Sequence, residues 1–175
     1  MKRIFFASVA AIMVLANTAP NTITKDLLTT LGKNLKAQLQ KGGPKEALKF
    51  CALNAYKLTK EIQSKYPNAE IKRISLKPRN PLDAPNEEEL IILQTFDSLK
   101  SLNEKPKDIV IEKKDKKIIY KPLYISKQVC LKCHGNIDPN SELSQTLKHY
   151  YPNDKATGYK MGDFRGAVVI TLKKK

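Results

Sequence analysis

Phe164-Arg165-Gly166-Ala167-Val168-Val169-Ile170-Thr171-Leu172 holds the apolar run Ala167 to Ile170 and reads as a strand. A strand of that kind needs partners, and three segments upstream supply them. Asp108 to Glu112 and Lys117 to Ile125 read as a hairpin joined by a lysine-rich turn around Asp115. Ala69 to Leu76 alternates Ile71, Arg73 and Ser75 against Lys72, Ile74 and Leu76, which predicts another strand. Further back the period changes. Leu27, Leu28, Leu31, Leu35 and Leu39 share a stripe over Thr24 to Gln40, a helix that Gly42-Gly43-Pro44 ends. Pro44 then starts a second helix running to about Lys65, with Leu48, Cys51, Ala52, Ala55, Leu58 and Ile62 at three-and-four spacing. Pro67 closes it, Lys77 to Pro85 is a proline-rich loop, and Asn86 caps a helix from Glu87 to about Leu102. A short helix covers Ser141 to Tyr150. Helices first, then strands interrupted by a helix and a loop, predict an α+β domain with an antiparallel sheet.

The N-terminus reads as an export signal. Met1-Lys2-Arg3 is cationic, and Ile4 to Leu15 is an uncharged apolar run of twelve residues. That run falls short of the ~20 residues a bilayer span needs, and Val14-Leu15-Ala16 offers a cleavage site after Ala16. Residues 1–16 are therefore expected to be a cleaved signal peptide, and residues 17–175 a single domain, exported and periplasmic. Cleavage removes two of the 32 basic residues and leaves 30 against 17 acidic, a net +13. In an exported protein this balance suits acidic redox partners or peripheral contact with an anionic membrane surface, and it does not call for nucleic acid. Lysine runs at 113–117 and 173–175 read as solvated faces.

Between the hairpin and the short helix lies Cys130-Leu131-Lys132-Cys133-His134. C-x-x-C-H is the attachment signature of c-type haem: two thiols take the vinyl groups and the histidine takes the iron. A zinc site would want four ligands, and a thioredoxin-like pair would want a βαβ setting. The export signal agrees with haem, because this attachment is made outside the bacterial inner membrane. One covalent haem c consumes two of the three cysteines and leaves Cys51. That thiol is either a small buried hydrophobe or the distal iron ligand. His149 and Met161 are its rivals for the sixth position, and the residues alone leave the choice open.

Several blocks carry a resemblance. They are Phe50-Cys51-Ala52-Leu53-Asn54-Ala55, Ile74 to Pro81, Glu88 or Glu89, Cys130 to Gly135, and Gly158-Tyr159-Lys160-Met161-Gly162-Asp163-Phe164-Arg165-Gly166-Ala167. Together they resemble the exported single-haem c-type domain family, whose antiparallel sheet is PAS-like and whose haem has a cysteine–histidine axial pair. The resemblance implies Cys51 as distal ligand and His134 as proximal ligand, with Cys130 and Cys133 at the attachment site. One departure is Arg73-Ile74-Ser75, where the family often has arginine followed by threonine; this difference is expected to leave the haem site intact. Arg73, Arg79 and Arg165 are candidates for the haem propionates, since guanidinium groups engage carboxylates bidentately. Asn80 and Asp163 read as turn-formers.

A six-coordinate iron leaves no open position for turnover, so the chain is expected not to be an enzyme. An anionic thiolate stabilises ferric iron and implies a low reduction potential, hence electron transfer with a partner protein. The alternative is a haem-based redox or gas sensor acting through a separate transducing protein, by analogy of fold alone. A peroxidase or reductase ranks last, because nothing in the sequence ties His149 or Tyr159 to the iron.

Overall fold

The structure, a computed structural model, describes residues 9–104 and 106–174, with side chains from Ala19 onward. Helix α1 (Val9–Ser64) leads into strand β1 (Ala69–Ile74), a single 3-10 turn (Pro81–Asp83) and α2 (Glu87–Ser101). Strands β2 (Ile109–Glu112) and β3 (Lys116–Tyr124) follow, then α3 (Gln128–His134), α4 (Glu142–Tyr150) and β4 (Phe164–Lys173). The four strands form one antiparallel sheet in the order β1-β4-β3-β2. The α+β architecture expected from the sequence is the architecture observed.

β4 lies inside the sheet and is buried on both faces. Val168 and Ile170 face Ile23, Leu27 and Ile62 of α1. Ala167 and Val169 face Leu93 and Phe96 of α2. Helices on both faces explain why the strand reads as a run of apolar residues rather than an alternation. Pro122 is tolerated in β3 because β2 pairs only as far as Tyr120, so the absent N–H costs no ladder bond on that side.

Helix α1 is two arms broken at Gly42–Gly43, where Gly43 takes φ +69°. A side chain is disfavoured in that conformation. Pro44 then opens the second arm. Ile23 and Leu27 of the first arm share a cluster with Ile62 of the second, so the arms run antiparallel. The expected helix start at Thr24 is corrected: the helix passes through Pro20, and Thr24 Oγ1 donates to Pro20 O at 2.8 Å. Ile23 is fully buried and extends the apolar stripe by one turn. Of the expected signal segment, residues 1–8 lie outside the described residues, and the backbone of 9–16 belongs to α1. No helix among those described is long and apolar enough to cross a membrane.

Asn86 caps α2 through a full capping box with Glu89, a residue whose sequence position suggests only a charge complementing the helix dipole. Glu89 Oε2 accepts from Asn86 N at 2.9 Å and from Lys72 Nζ at 2.7 Å, fastening α2 to β1. Four lysines of the runs are ion-paired: Lys113 with Glu88, Lys117 and Lys174 with Glu112, and Lys173 with Glu70.

The ladder between β3 and β4 breaks at one point. Leu123 pairs with Gly166 and Tyr124 pairs with Phe164, so Arg165 is an extra residue bulged out of β4. Gly166 has φ +149°, and a Cβ there would collide with Ile74 O. Gly166→Ala must therefore push β1 and β4 apart. A loss of at least about 2 kcal/mol in unfolding free energy, read from urea midpoints, is expected.

Candidate metal centre

The C-x-x-C-H stretch, expected in a loop, is the short helix α3. Cys130 and Cys133 are three residues apart in a helix and so share one face. Cys130 and Leu131 pack against Ile125, Ala156 and Tyr159, a small cluster that seats the helix below the end of β3. Its C-terminus is pinned by two backbone bonds, Tyr159 N to His134 O at 2.9 Å and Gly158 N to Gly135 O at 3.0 Å.

Arg79 is the clamp of this assembly. Its Nη2 donates to Cys133 O at 2.5 Å and to Ala156 O at 3.1 Å, and its Nε donates to Asp154 Oδ1 at 3.2 Å. The pair is nearly out of solvent, with side-chain exposures of 11% and 9%. Most of the guanidinium is thus engaged by protein, so Arg79, expected only as a propionate partner, has a scaffolding task.

His134 Nδ1 lies 2.8 Å from Ala156 O. A carbonyl oxygen only accepts, so Nδ1 carries the proton and Nε2 is left with a bare lone pair. Metal-binding histidines are oriented by a hydrogen bond of this kind on the nitrogen that does not bind the metal. Burial, with Arg79 and Arg165 nearby, pushes the histidine's pKa down to about 3, so the ring stays neutral.

All seven residues expected at the cofactor line one cavity of about 480 Å³: Cys51, Arg73, Arg79, Cys130, Cys133, His134 and Arg165. Its apolar wall comes from the two arms of α1, with Leu28, Leu31, Leu35 and Leu39 on one and Leu48 and Leu58 on the other. All three cysteines are free thiols. Burial raises the Cys51 pKa and neighbouring Cys133 adds to the rise, while Arg73 and Arg79 pull it down. The rivals lie elsewhere. His149 stacks edge-on to Tyr150 at 4.7 Å in a separate groove beside Lys45 and Glu142, and Met161 is 43% exposed.

The bulge at Arg165 brings its side chain to this cavity. Ser75 Oγ donates to Arg165 O at 2.8 Å and accepts from Arg165 Nη1 at 2.6 Å, holding the residue at both ends. No carboxylate among the described residues pairs with Arg165. Arg73 has only a loose partner, Asp83, with Nη2 to Oδ1 at 3.7 Å. An apolar slot with an undercompensated cationic end, a free imidazole nitrogen and two thiols on one helical face fits a haem: flat, apolar, and carrying two carboxylates.

Sequence reading misses Asp83 and Tyr151 in this lining. Asp83 sits in a segment that reads only as a proline-rich loop. Tyr151 follows the last residue of α4, and burial together with Cys51 lifts its phenol to about 12. The Tyr150-Tyr151 doublet does not say which ring turns inward.

Removing one partner of the Arg79–Asp154 pair strands the other. Arg79→Ala or Asp154→Ala is expected to cost about 3–5 kcal/mol by denaturant titration. Lys45→Ala, which breaks the exposed pair with Glu142, is expected to cost less than about 1 kcal/mol.

The fold has a counterpart among known proteins. The chain is similar to the crystal structure of the cyanobacterial heme-protein Tll0287, with 20% sequence identity and a TM-score of 0.65. The match covers 96% of this chain and 98% of that one. At that identity the likeness speaks for the fold. No curated protein matches the chain. A family model described as Tll0287-like matches residues 6–173. Matched over nearly its whole length, the chain belongs to the Tll0287-like family.

Proposed function

We propose that this protein binds one haem c covalently and works as an exported, low-potential electron-transfer protein. The observation that carries the reading is the convergence of Cys51, Cys130, Cys133, His134 and three arginines on one cavity, from segments more than 100 residues apart. The similar solved protein is itself described as a heme-protein. The PAS-like character of the sheet belongs to the same proposal, supported by its antiparallel strands with helices on both faces.

When bound, the haem supplies one-electron exchange between ferric and ferrous iron. The chain's residues divide the remaining tasks. Cys130 and Cys133 give their sulfurs to the thioethers, and His134 offers Nε2 to the iron while Ala156 O holds its ring in place. Cys51, whose thiol burial favours in the neutral form, would bind iron as the thiolate with its proton released to solvent, since a metal-bound thiol is deprotonated. Its anionic sulfur favours the ferric state and so lowers the potential. Arg165 and Arg73 hold the propionates, and Arg79 keeps the His134 segment in register. The leucines of α1 exclude water, which lowers the local dielectric and strengthens every charge interaction in the site.

Export to the periplasm follows from the signal-peptide reading and from where c-type attachment takes place. The partner is a redox protein with an acidic face. With Lys113, Lys117, Lys173 and Lys174 ion-paired, attraction rests on the overall charge of the protein.

Absorption and EPR spectra with a redox titration, on wild type and Cys51→Ser, test the reading. Wild type should show a low-spin thiolate signature and a low potential; Cys51→Ser should lose the signature and move to a higher potential. A high, methionine-like potential with a spectrum unchanged by Cys51→Ser would sink the axial assignment. Rapid CO binding to the reduced protein with loss of the thiolate would favour a sensor instead.

Attachment is tested separately. Haem should resist acid–acetone extraction in wild type and become fully extractable in the Cys130→Ala, Cys133→Ala double variant. Extraction of the haem from wild type would mean that it is held without covalent bonds.

A further inference from the structure

A second cavity of about 470 Å³ lies beside the first, between the second arm of α1, β1 and the 3-10 turn. It is the more polar of the two, with Thr59, Lys60, Gln63, Lys72 and Glu89 set among Ile71, Leu82 and Val169 in its lining. Two residues line both cavities, Arg73 and Asp83. The wall between the two chambers is thus, in part, one ion pair.

Asp83 is poorly held for a carboxylate in that position. Its backbone is fixed, with N donating to Asn80 O at 2.9 Å and O accepting from Ser75 N at 3.0 Å. Its carboxylate has no hydrogen-bond donor among the described residues, and its only ion pair is the Arg73 contact at 3.7 Å. The groups that face it are Arg73 and Lys72 of β1, Arg165 of β4, and Tyr151 after α4. The second cavity is also lined by Tyr56 and Lys60 of α1, by Glu70 of β1, which pairs with Lys173, and by Glu89 of α2, which pairs with Lys72. Asp83 keeps 18% of its side chain exposed, and the two carboxylates more buried than it are satisfied: Glu89 by Lys72 and the α2 cap, Asp154 by Arg79.

We infer that Asp83 is a proton-binding site coupled to the metal centre, so that the protein carries a proton together with its electron. The inference rests on the haem reading above. In the reductive step one electron enters from the electron-donating partner, and one proton enters from solvent through the polar cavity to an Asp83 carboxylate oxygen. Oxidation releases both. The direction follows from charge. Burial already raises the Asp83 carboxyl above its usual range against the pull of Arg73, Arg165 and Lys72. A negative charge added to the neighbouring cavity raises it further, by about tenfold in proton affinity for a nearby partly desolvated pair. Tyr151, held near 12, stays protonated throughout and does not compete.

The test is the pH dependence of the reduction potential of the holoprotein, by spectroelectrochemistry from acid to neutral pH. Wild type should show a potential that falls as pH rises, over the window between the two Asp83 affinities. Asp83→Asn should flatten that slope while leaving the absorption and EPR signature of the axial ligands as in wild type. A slope retained in Asp83→Asn would assign the proton to the propionates and overturn the inference, as would a flat wild-type profile. Should Asp83→Asn not fold, redox-difference infrared spectra of wild type still decide. A protonated carboxylic acid band must appear on reduction and shift in Asp83→Glu; its absence, or a band that does not shift, overturns the inference. Failure of the haem reading itself looks different: no Soret absorption, or no thiolate signature, whatever the slope.

Discussion

β4 must serve two cores at once, and most of the molecule follows from that constraint. Val168 and Ile170 meet the helical hairpin of α1, while Ala167 and Val169 meet α2, so the strand cannot slip by one residue without exchanging both sets. Once β4 is locked, its N-terminal end is locked with it. The bulge at Arg165 and the close approach of Gly166 to Ile74 O turn a cationic side chain toward the cavity and fix it on Ser75. A packing requirement in the middle of the strand thereby sets electrostatics at its end.

The site is assembled from segments that share no local structure. α1 brings Cys51 and the leucine walls, α3 brings Cys130, Cys133 and His134, and the β1–α2 connection brings Arg79 and Asp83. Arg79 joins the last two groups, spanning from its loop to Cys133 O, Ala156 O and Asp154. The resulting slot is apolar along its walls and cationic at one end, an uneven charge distribution that would be costly in an empty core. Under the haem reading, an anionic, apolar-bodied group offsets that cost. The same low dielectric makes the neighbouring Asp83 responsive to charge in the cavity.

Local pattern makes much of this legible in advance. The strands and the α2 and α4 helices stand close to their expected places because their periods and caps are written in adjacent residues; the Asn86 box is an instance. Where reading fails, a distant partner is responsible. The first arm of α1 starts earlier than its leucine stripe suggests, because Ile23 is buried by a strand nearly 150 residues away. The attachment stretch is helical rather than a loop because Ile125, Ala156 and Tyr159 receive it. Arg79 reads like any loop arginine, since nothing near it in the chain announces Asp154.

By itself the sequence determined the alternation of helices and strands, the C-x-x-C-H motif and a short list of candidate ligands, because each depends on residue type at short spacing. Tertiary structure decided which candidates meet. Cys51, His134 and the three arginines converge on one cavity while His149 and Met161 do not, and Asp83 stands in the wall between two chambers. Those outcomes depend on burial and on the register of β4, quantities set by contacts between residues far apart in the chain.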